Sequence, residues 1–272
     1  MIVLILIVLG LCLGSFTNAL VWRLHEAEGK KKPSKKMSIT HGRSMCVHCG
    51  HELAAKDLVP VLSWLELRGR CRYCAKPISR QYPLVEVLTT ALFVVSYLYW
   101  PLQLDGPGWL QFGLWLVITV MFVALSVYDL KWMILPNKLV YILIGISVCL
   151  VAINLIITPL GSVLVDALAG IACLAGLFYL LFQLSGGKWI GGGDVKLAVA
   201  LGLIVGGPLN AVLLLFLASL GGSIVAIPLI IAGKAKRQTH VPFGPFLITA
   251  TYIVFLFGSD ITLWYERVFL GL

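Results

Sequence analysis

The sequence predicts an all-α polytopic membrane protein with about eight transmembrane helices and one small aqueous domain between the first and the second. Three observations carry that prediction. Of the 272 residues, 60% are hydrophobic and 12% charged, with a mean hydropathy of +0.97. Apolar runs long enough to cross a bilayer recur along the chain, and one long polar stretch interrupts them. A single soluble core cannot hide that much apolar surface.

A bilayer core of about 30 Å takes about 20 apolar residues per helix. Residues 2–22, 84–101, 109–128, 138–157, 161–184, 211–232 and 242–258 meet that length. An eighth run, from Asp194 to about Val205, would span only a thinned or distorted bilayer. The first run has no basic residue before it and acquires them from Arg23 onward. A cleavable signal peptide shows the opposite order, so this predicts a permanent helix that starts outside and ends in the cytoplasm.

The formal charge of +9 is concentrated beside membrane segments. That points to contact with anionic lipids and not to nucleic acid. Thirteen of the twenty-one Lys and Arg residues lie between Arg23 and Arg80. The others are Lys131, Lys138, Lys188, Lys196, the group from Lys234 to Arg237, and Arg267. If the short Asp194 segment crosses, twenty of the twenty-one fall on one side. The positive-inside rule then predicts eight crossings with both termini outside, a re-entrant segment being the alternative. The implied domains are a first helix at 1–23, a cytoplasmic segment at 24–82 and a membrane core at 83–272. The stretch GKKKPSKKMS has too much charge to pack and reads as a basic linker near headgroups.

Within the cytoplasmic segment, Cys46-x2-Cys49 and Cys71-x2-Cys74 are separated by 21 residues. A reducing compartment disfavours disulfides, and two such pairs supply a tetrahedral thiolate site suited to zinc. Four protein ligands leave no open position, so the predicted zinc is structural. His48 and His51, beside the first pair, are the alternative ligands. Cys12, Cys149 and Cys173 lie in apolar runs and read as packing residues.

Acidic residues near membrane spans are expensive and call for an explanation. Asp105, Asp260 and Glu266 fall in outer connections, where water solvates them. Asp166 lies a few residues inside a helix end, and Glu86 opens the second helix, where it complements a helix N-terminus. Asp129 and Asp194 differ from these: the topology brings them to the same depth and the same face. Two adjacent carboxylates share a proton, one acting as base toward water while the other donates to a peptide carbonyl. Gly191, Gly192 and Gly193 before Asp194 let backbone approach closely; the alternative is a flexible turn with Asp194 as a helix N-cap. Lys131 and Lys196, each two residues after an aspartate, read as snorkelling anchors or as electrostatic neighbours of the carboxylates.

Taken together, GSFTNALVWRL (14–24), the paired CxxC motifs, VPVLSWLELRGRCRYC (59–74) and PISRQYPLVE (77–86) resemble the type IV prepilin leader peptidases. So do DLKWMILPN (129–137), GGGDVKLAVALG (191–202) and VPFGPF (241–246). That family is a branch of the GxGD membrane aspartic peptidases. The resemblance implies Asp129 and Asp194 as the catalytic pair, with Gly191 and Gly193 as the glycines of GxGD. It implies removal of a short basic leader from prepilin or pseudopilin precursors at the cytoplasmic face of the bacterial inner membrane. It further implies methylation of the new N-terminus with S-adenosylmethionine, although residues 24–82 show no glycine-rich cofactor fingerprint. The competing readings are the same peptidase without methyl transfer, an ion-coupled transporter and an inactive assembly scaffold.

Overall fold

Apolar runs become helices here because a backbone in lipid must satisfy its own hydrogen bonds. The structure is a computed structural model that describes residues 1–28, 42–157, 160–233 and 241–271. The basic linker, the connection at Thr158–Pro159 and the Lys234–Arg237 group lie outside the described residues. Nine α-helices are described: α1 (Ile2–Glu28), α2 (Leu62–Glu66), α3 (Gln81–Leu98), α4 (Gly106–Trp132), α5 (Asn137–Ile157), α6 (Leu160–Ser185), α7 (Gly192–Val205), α8 (Pro208–Ile231) and α9 (Gly244–Tyr265). Seven of them, all but α2 and α7, are long and apolar enough to cross a membrane. The chain is therefore a multi-pass membrane protein.

The chain divides into two units, Met1–Leu98 and Tyr99–Leu272. In the first, α1 packs along α3. Gly10 and Gly14, four residues apart on one face of α1, allow this approach. A Cβ at Gly10 would lie 2.6 Å from Thr90 Cα, and one at Gly14 2.7 Å from Glu86 Cα. Small residues at this spacing let membrane helices come together without a hydrophobic driving force. Polar side chains then fasten the pair: Asn18 Nδ2 donates to the Tyr82 carbonyl at 3.2 Å, and Gln81 Nε2 donates to Asn18 Oδ1 at 3.1 Å. The quoted motifs GSFTN and QYPLVE thus meet as two sides of one helix contact. Glu86 lies inside α3, one turn past the start at Gln81, and is only 5% exposed. It does not occupy the helix-start position that its sequence context suggests.

In the second unit, α4 is the most enclosed long helix. Its buried Trp115 stacks on Phe255 and Tyr252 of α9, with ring centroids 3.9 and 5.6 Å apart. The 14-residue α7 is about 21 Å long, too short for an undistorted bilayer core. It contacts α5, α6 and α9, and buries Leu197, Ala198, Ala200, Leu201, Gly202, Ile204 and Val205. Against α6, a Cβ at Gly170 would run into the Gly202 carbonyl oxygen, and one at Gly202 would meet that of Gly170 at 2.7 Å. Backbone therefore touches backbone, which holds α7 in place. At its far end, Gly206 and Gly207 adopt φ of 58° and 64° to turn the chain into α8. The Gly207 N–H donates to the Asp166 backbone carbonyl at 2.7 Å.

Candidate active site and metal centre

Asp129 lies in the last turn of α4. The helix stops just beyond it, where Met133 takes a left-handed conformation (φ 53°) and donates its N–H to the Asp129 carbonyl at 2.8 Å. Leu135 and Pro136 follow, both buried, and α5 begins at Asn137. The Asp129 side chain is thus held at a helix end among packed neighbours, with the residue 5% exposed.

Asp194 stands in the first turn of α7, partly buried. Gly191, in extended conformation, is the cap residue, and its carbonyl accepts the Asp194 N–H at 3.1 Å. Asp194 is therefore not the N-cap that its position after three glycines allows. Gly191 also neighbours the carboxylate: a Cβ there would lie at an ordinary contact distance of 3.4 Å from Asp194 Oδ2. A Cβ at Gly193 would come within 3.1 Å of Leu135 Cβ, so the start of α7 sits against the segment that follows Asp129. A Cβ at Gly244 would lie 2.6 Å from Asp129 Oδ2 and 3.6 Å from Leu135 Cδ2, so Leu135 has the Asp129 side on one flank and the start of α7 on the other.

Lys196 Nζ donates to Asn137 Oδ1 at 2.8 Å and lies 5.6 Å from the centre of the Tyr141 ring. It therefore fastens α7 to α5. Lys131 is exposed and sits 5.3 Å from the centre of the Trp132 ring. Among the described residues neither lysine is ion-paired with Asp129 or Asp194.

Two residues without an assigned role in the sequence reading belong to this site. Leu135 lies against Gly193, and Gly244 at the start of α9 donates its N–H to Asp129 Oδ2 at 3.1 Å. The motifs DLKWMILPN and VPFGPF contain these residues, but nothing in either shows that they converge.

In the first unit, the two CxxC motifs form matching tight turns. Cys46 N–H donates to the His51 carbonyl and Cys71 N–H to the Lys76 carbonyl, both at 2.9 Å. Gly50 N–H returns to the Cys46 carbonyl and Ala75 N–H to the Cys71 carbonyl, with φ of 69° and 57° at the returning residues. The Sγ atoms of Cys46, Cys49, Cys71 and Cys74 all lie within 4.8 Å of one another, and those of Cys46 and Cys74 are 3.9 Å apart. A tetrahedral zinc with bonds of about 2.3 Å requires sulfur separations of about 3.8 Å, so these thiols fit that ion. His51 instead stacks on Tyr73, with centroids 3.7 Å apart.

Asp57 braces the same segment. It accepts from Arg72 Nε at 2.8 Å, from the Tyr73 hydroxyl at 2.9 Å and from the Ala54 N–H at 3.2 Å. Its side chain is 3% exposed. Burial pushes the carboxyl up, but the hydrogen bonds from Arg72, Tyr73 and Ala54, with the Arg72 charge, bring it below the ordinary value of 3.8. Among the described residues of this unit, no strand runs through a glycine-rich turn into a helix.

Comparison with known proteins extends this picture. Residues 8–100 match the Bacterial Peptidase A24 N-terminal domain, and residues 116–227 match the Type IV leader peptidase family. A protein of Aeromonas hydrophila is 36% identical over 280 residues, covering 96% of this chain and 92% of the relative. One from Xanthomonas campestris is 35% identical, covering 97% and 94%. One from Dichelobacter nodosus is 30% identical, covering 93% and 90%. All three are named prepilin leader peptidase/N-methyltransferase. No solved structure matches the chain.

Proposed function

Because the chain belongs to the type IV leader peptidase family, we propose that it cleaves the basic leader from prepilin-like precursors, using Asp129 and Asp194 as an aspartic dyad, and then N-methylates the new N-terminus. What supports the dyad is that the start of α7, which carries Asp194, packs at Gly193 on Leu135, six residues after Asp129 at the end of α4.

The chemistry follows from two adjacent carboxyl groups sharing one proton. The ionised one takes a proton from water as the oxygen attacks the scissile carbonyl carbon. The protonated one donates to the carbonyl oxygen, giving a neutral gem-diol. On collapse, one gem-diol hydroxyl returns its proton to the carboxylate that had donated, the C–N bond breaks, and the departing amine takes the proton gained from water. Gly191 and Gly193 support this site by close packing, and Lys196 by fixing α7 to Asn137. Lys131 serves as an interfacial anchor.

The four cysteines hold a structural zinc that stabilises the cytoplasmic segment. The enzyme sits in the bacterial inner membrane with this segment and the dyad facing the cytoplasm and both termini outside, the orientation favoured by the basic residues. Its partners are prepilin or pseudopilin precursors and the surrounding lipids. S-adenosylmethionine supplies the methyl group, and no residue is assigned to it.

The test is cleavage of a pilin-like precursor in membranes containing wild-type protein, Asp129→Asn or Asp194→Asn, scored by the mass of the product N-terminus. Both variants should be inactive while remaining inserted. The wild-type product should gain about 14 Da when S-adenosylmethionine is present. Cleavage by either variant removes the two-aspartate mechanism.

A further inference from the structure

The amino terminus of α9 is built so that one N–H is free to leave the helix. Pro245 has none, and those of Phe246 and Leu247 both return to the Phe243 carbonyl at 3.1 Å. The Gly244 N–H instead crosses to Asp129 Oδ2 at 3.1 Å, a buried contact spanning 115 residues of sequence. Helix N-termini favour a negative charge at this place.

The need for glycine here is steric. Gly244 is not among the residues with positive φ. A Cβ on it would fall 2.6 Å from Asp129 Oδ2, 3.4 Å from Cγ and 3.6 Å from Leu135 Cδ2. Any side chain would push the carboxylate aside. The flanking phenylalanines hold this turn down: Phe243 lies 6.3 Å from Phe178 of α6, and Phe246 borders Gly221 of α8.

We propose that Gly244 is a positioning residue of the peptidase centre: its N–H holds one oxygen of Asp129, and its missing side chain lets that carboxylate keep the rotation in which its other oxygen serves the reaction. The inference rests on the dyad reading. A carboxylate has two equivalent oxygens and rotates readily unless one is held. Small displacements of a reacting group are costly to rate.

The experiment measures kcat and KM for a pilin-like precursor with the full chain in membranes. Gly244→Ala is compared with Asp129→Asn and with Gly221→Ala. The last disturbs α8–α9 packing at Phe246, where a Cβ would lie 3.4 Å from the ring, without touching Asp129. Gly244→Ala should lower kcat by about 100-fold and leave KM within about twofold, while Gly221→Ala stays close to wild type. Wild-type kcat in Gly244→Ala beside inactive Asp129→Asn overturns this inference and leaves the dyad standing. Cleavage by Asp129→Asn overturns the dyad itself. A loss confined to KM, or an equal loss in Gly221→Ala, also overturns the inference. Should Gly244→Ala be too unstable to assay, thermal unfolding of that variant, Asp129→Ala and the double variant decides the matter. The drop caused by Gly244→Ala should vanish in the Asp129→Ala background, and equal drops in both backgrounds refute the contact.

Discussion

The buried carboxylate of Glu86 on α3 accepts the backbone N–H of Val61 at 2.7 Å. It thereby ties the long helix to the turn that leads into α2. Val61 has φ of 61°, a conformation that β-branched residues avoid, so this turn is held by its surroundings. On its other side Gly14 of α1 lies against Glu86, where an added Cβ would fall 2.7 Å from Glu86 Cα. Glu86 therefore meets α1 through its backbone and the cysteine-bearing segment through its carboxylate.

Removing that acceptor should loosen the turn. Glu86→Ala is expected to destabilise the first unit by about 1–3 kcal/mol, the cost of leaving a buried donor unsatisfied. Glu86→Gln, which keeps an oxygen at the same place, should do less harm. Amide exchange at Val61 is the direct readout; unchanged protection in Glu86→Ala would show that the bond is dispensable.

Metal analysis of the purified protein should find about one zinc per chain, and Cys71→Ser should abolish it. Stripping the metal with a strong chelator should raise proteolytic sensitivity between Cys46 and Cys74, because a small segment with little core depends on its clamp. Metal-free wild-type protein would contradict the site.

The Asp57 brace makes a specific pH prediction. Its carboxyl titrates lower in the folded protein than its ordinary value of 3.8. The stability it provides is therefore fully present above that value and is lost as pH falls through the lower, folded one. Asp57→Asn should weaken protection of residues 54–73 at neutral pH, and the gap from wild type should close at acid pH below about 4. Exchange measured across that range checks the sign; a gap that widens on acidification would refute it.

Gly202 offers a test of how α7 is seated. An added Cβ would meet only backbone, with the Gly170 carbonyl carbon at 2.8 Å and Ile171 Cα at 2.9 Å. Gly202→Ala should therefore shift α7, cost about 1–3 kcal/mol in thermal unfolding and slow cleavage, since α7 carries Asp194. Gly145→Ala, facing open space, is the control. Equal behaviour of the two variants would mean that α7 does not depend on this contact.

Much of the architecture was legible because membrane helices announce themselves locally. Length and hydropathy marked seven of the long helices, with ends displaced by a few residues; Gly106–Trp132, for instance, extends past both limits of the apolar run at 109–128. The cysteine spacing likewise announced a four-thiol cluster. The helix-start reading of Glu86 failed because its hydrogen bond comes from Val61, 25 residues earlier. The glycines of the GGGD turn pointed to close backbone approach, but which neighbours they meet, Leu135 beside Gly193 and Phe182 beside Gly192, was not written there.

The sequence by itself determined the membrane class, the order of the long helices and the four cysteines that cluster, and it singled out the two aspartates proposed as the pair. Each is written in composition, in short-range spacing or in a charge whose burial requires a reason. Only tertiary structure decided that Gly244 meets Asp129, that Gly170 meets Gly202, and that Asn18 joins Gln81 across α1 and α3. These contacts join residues 32 to 115 positions apart. A glycine's missing Cβ and a backbone N–H carry no address in sequence, and their partners are chosen by the packing of whole helices.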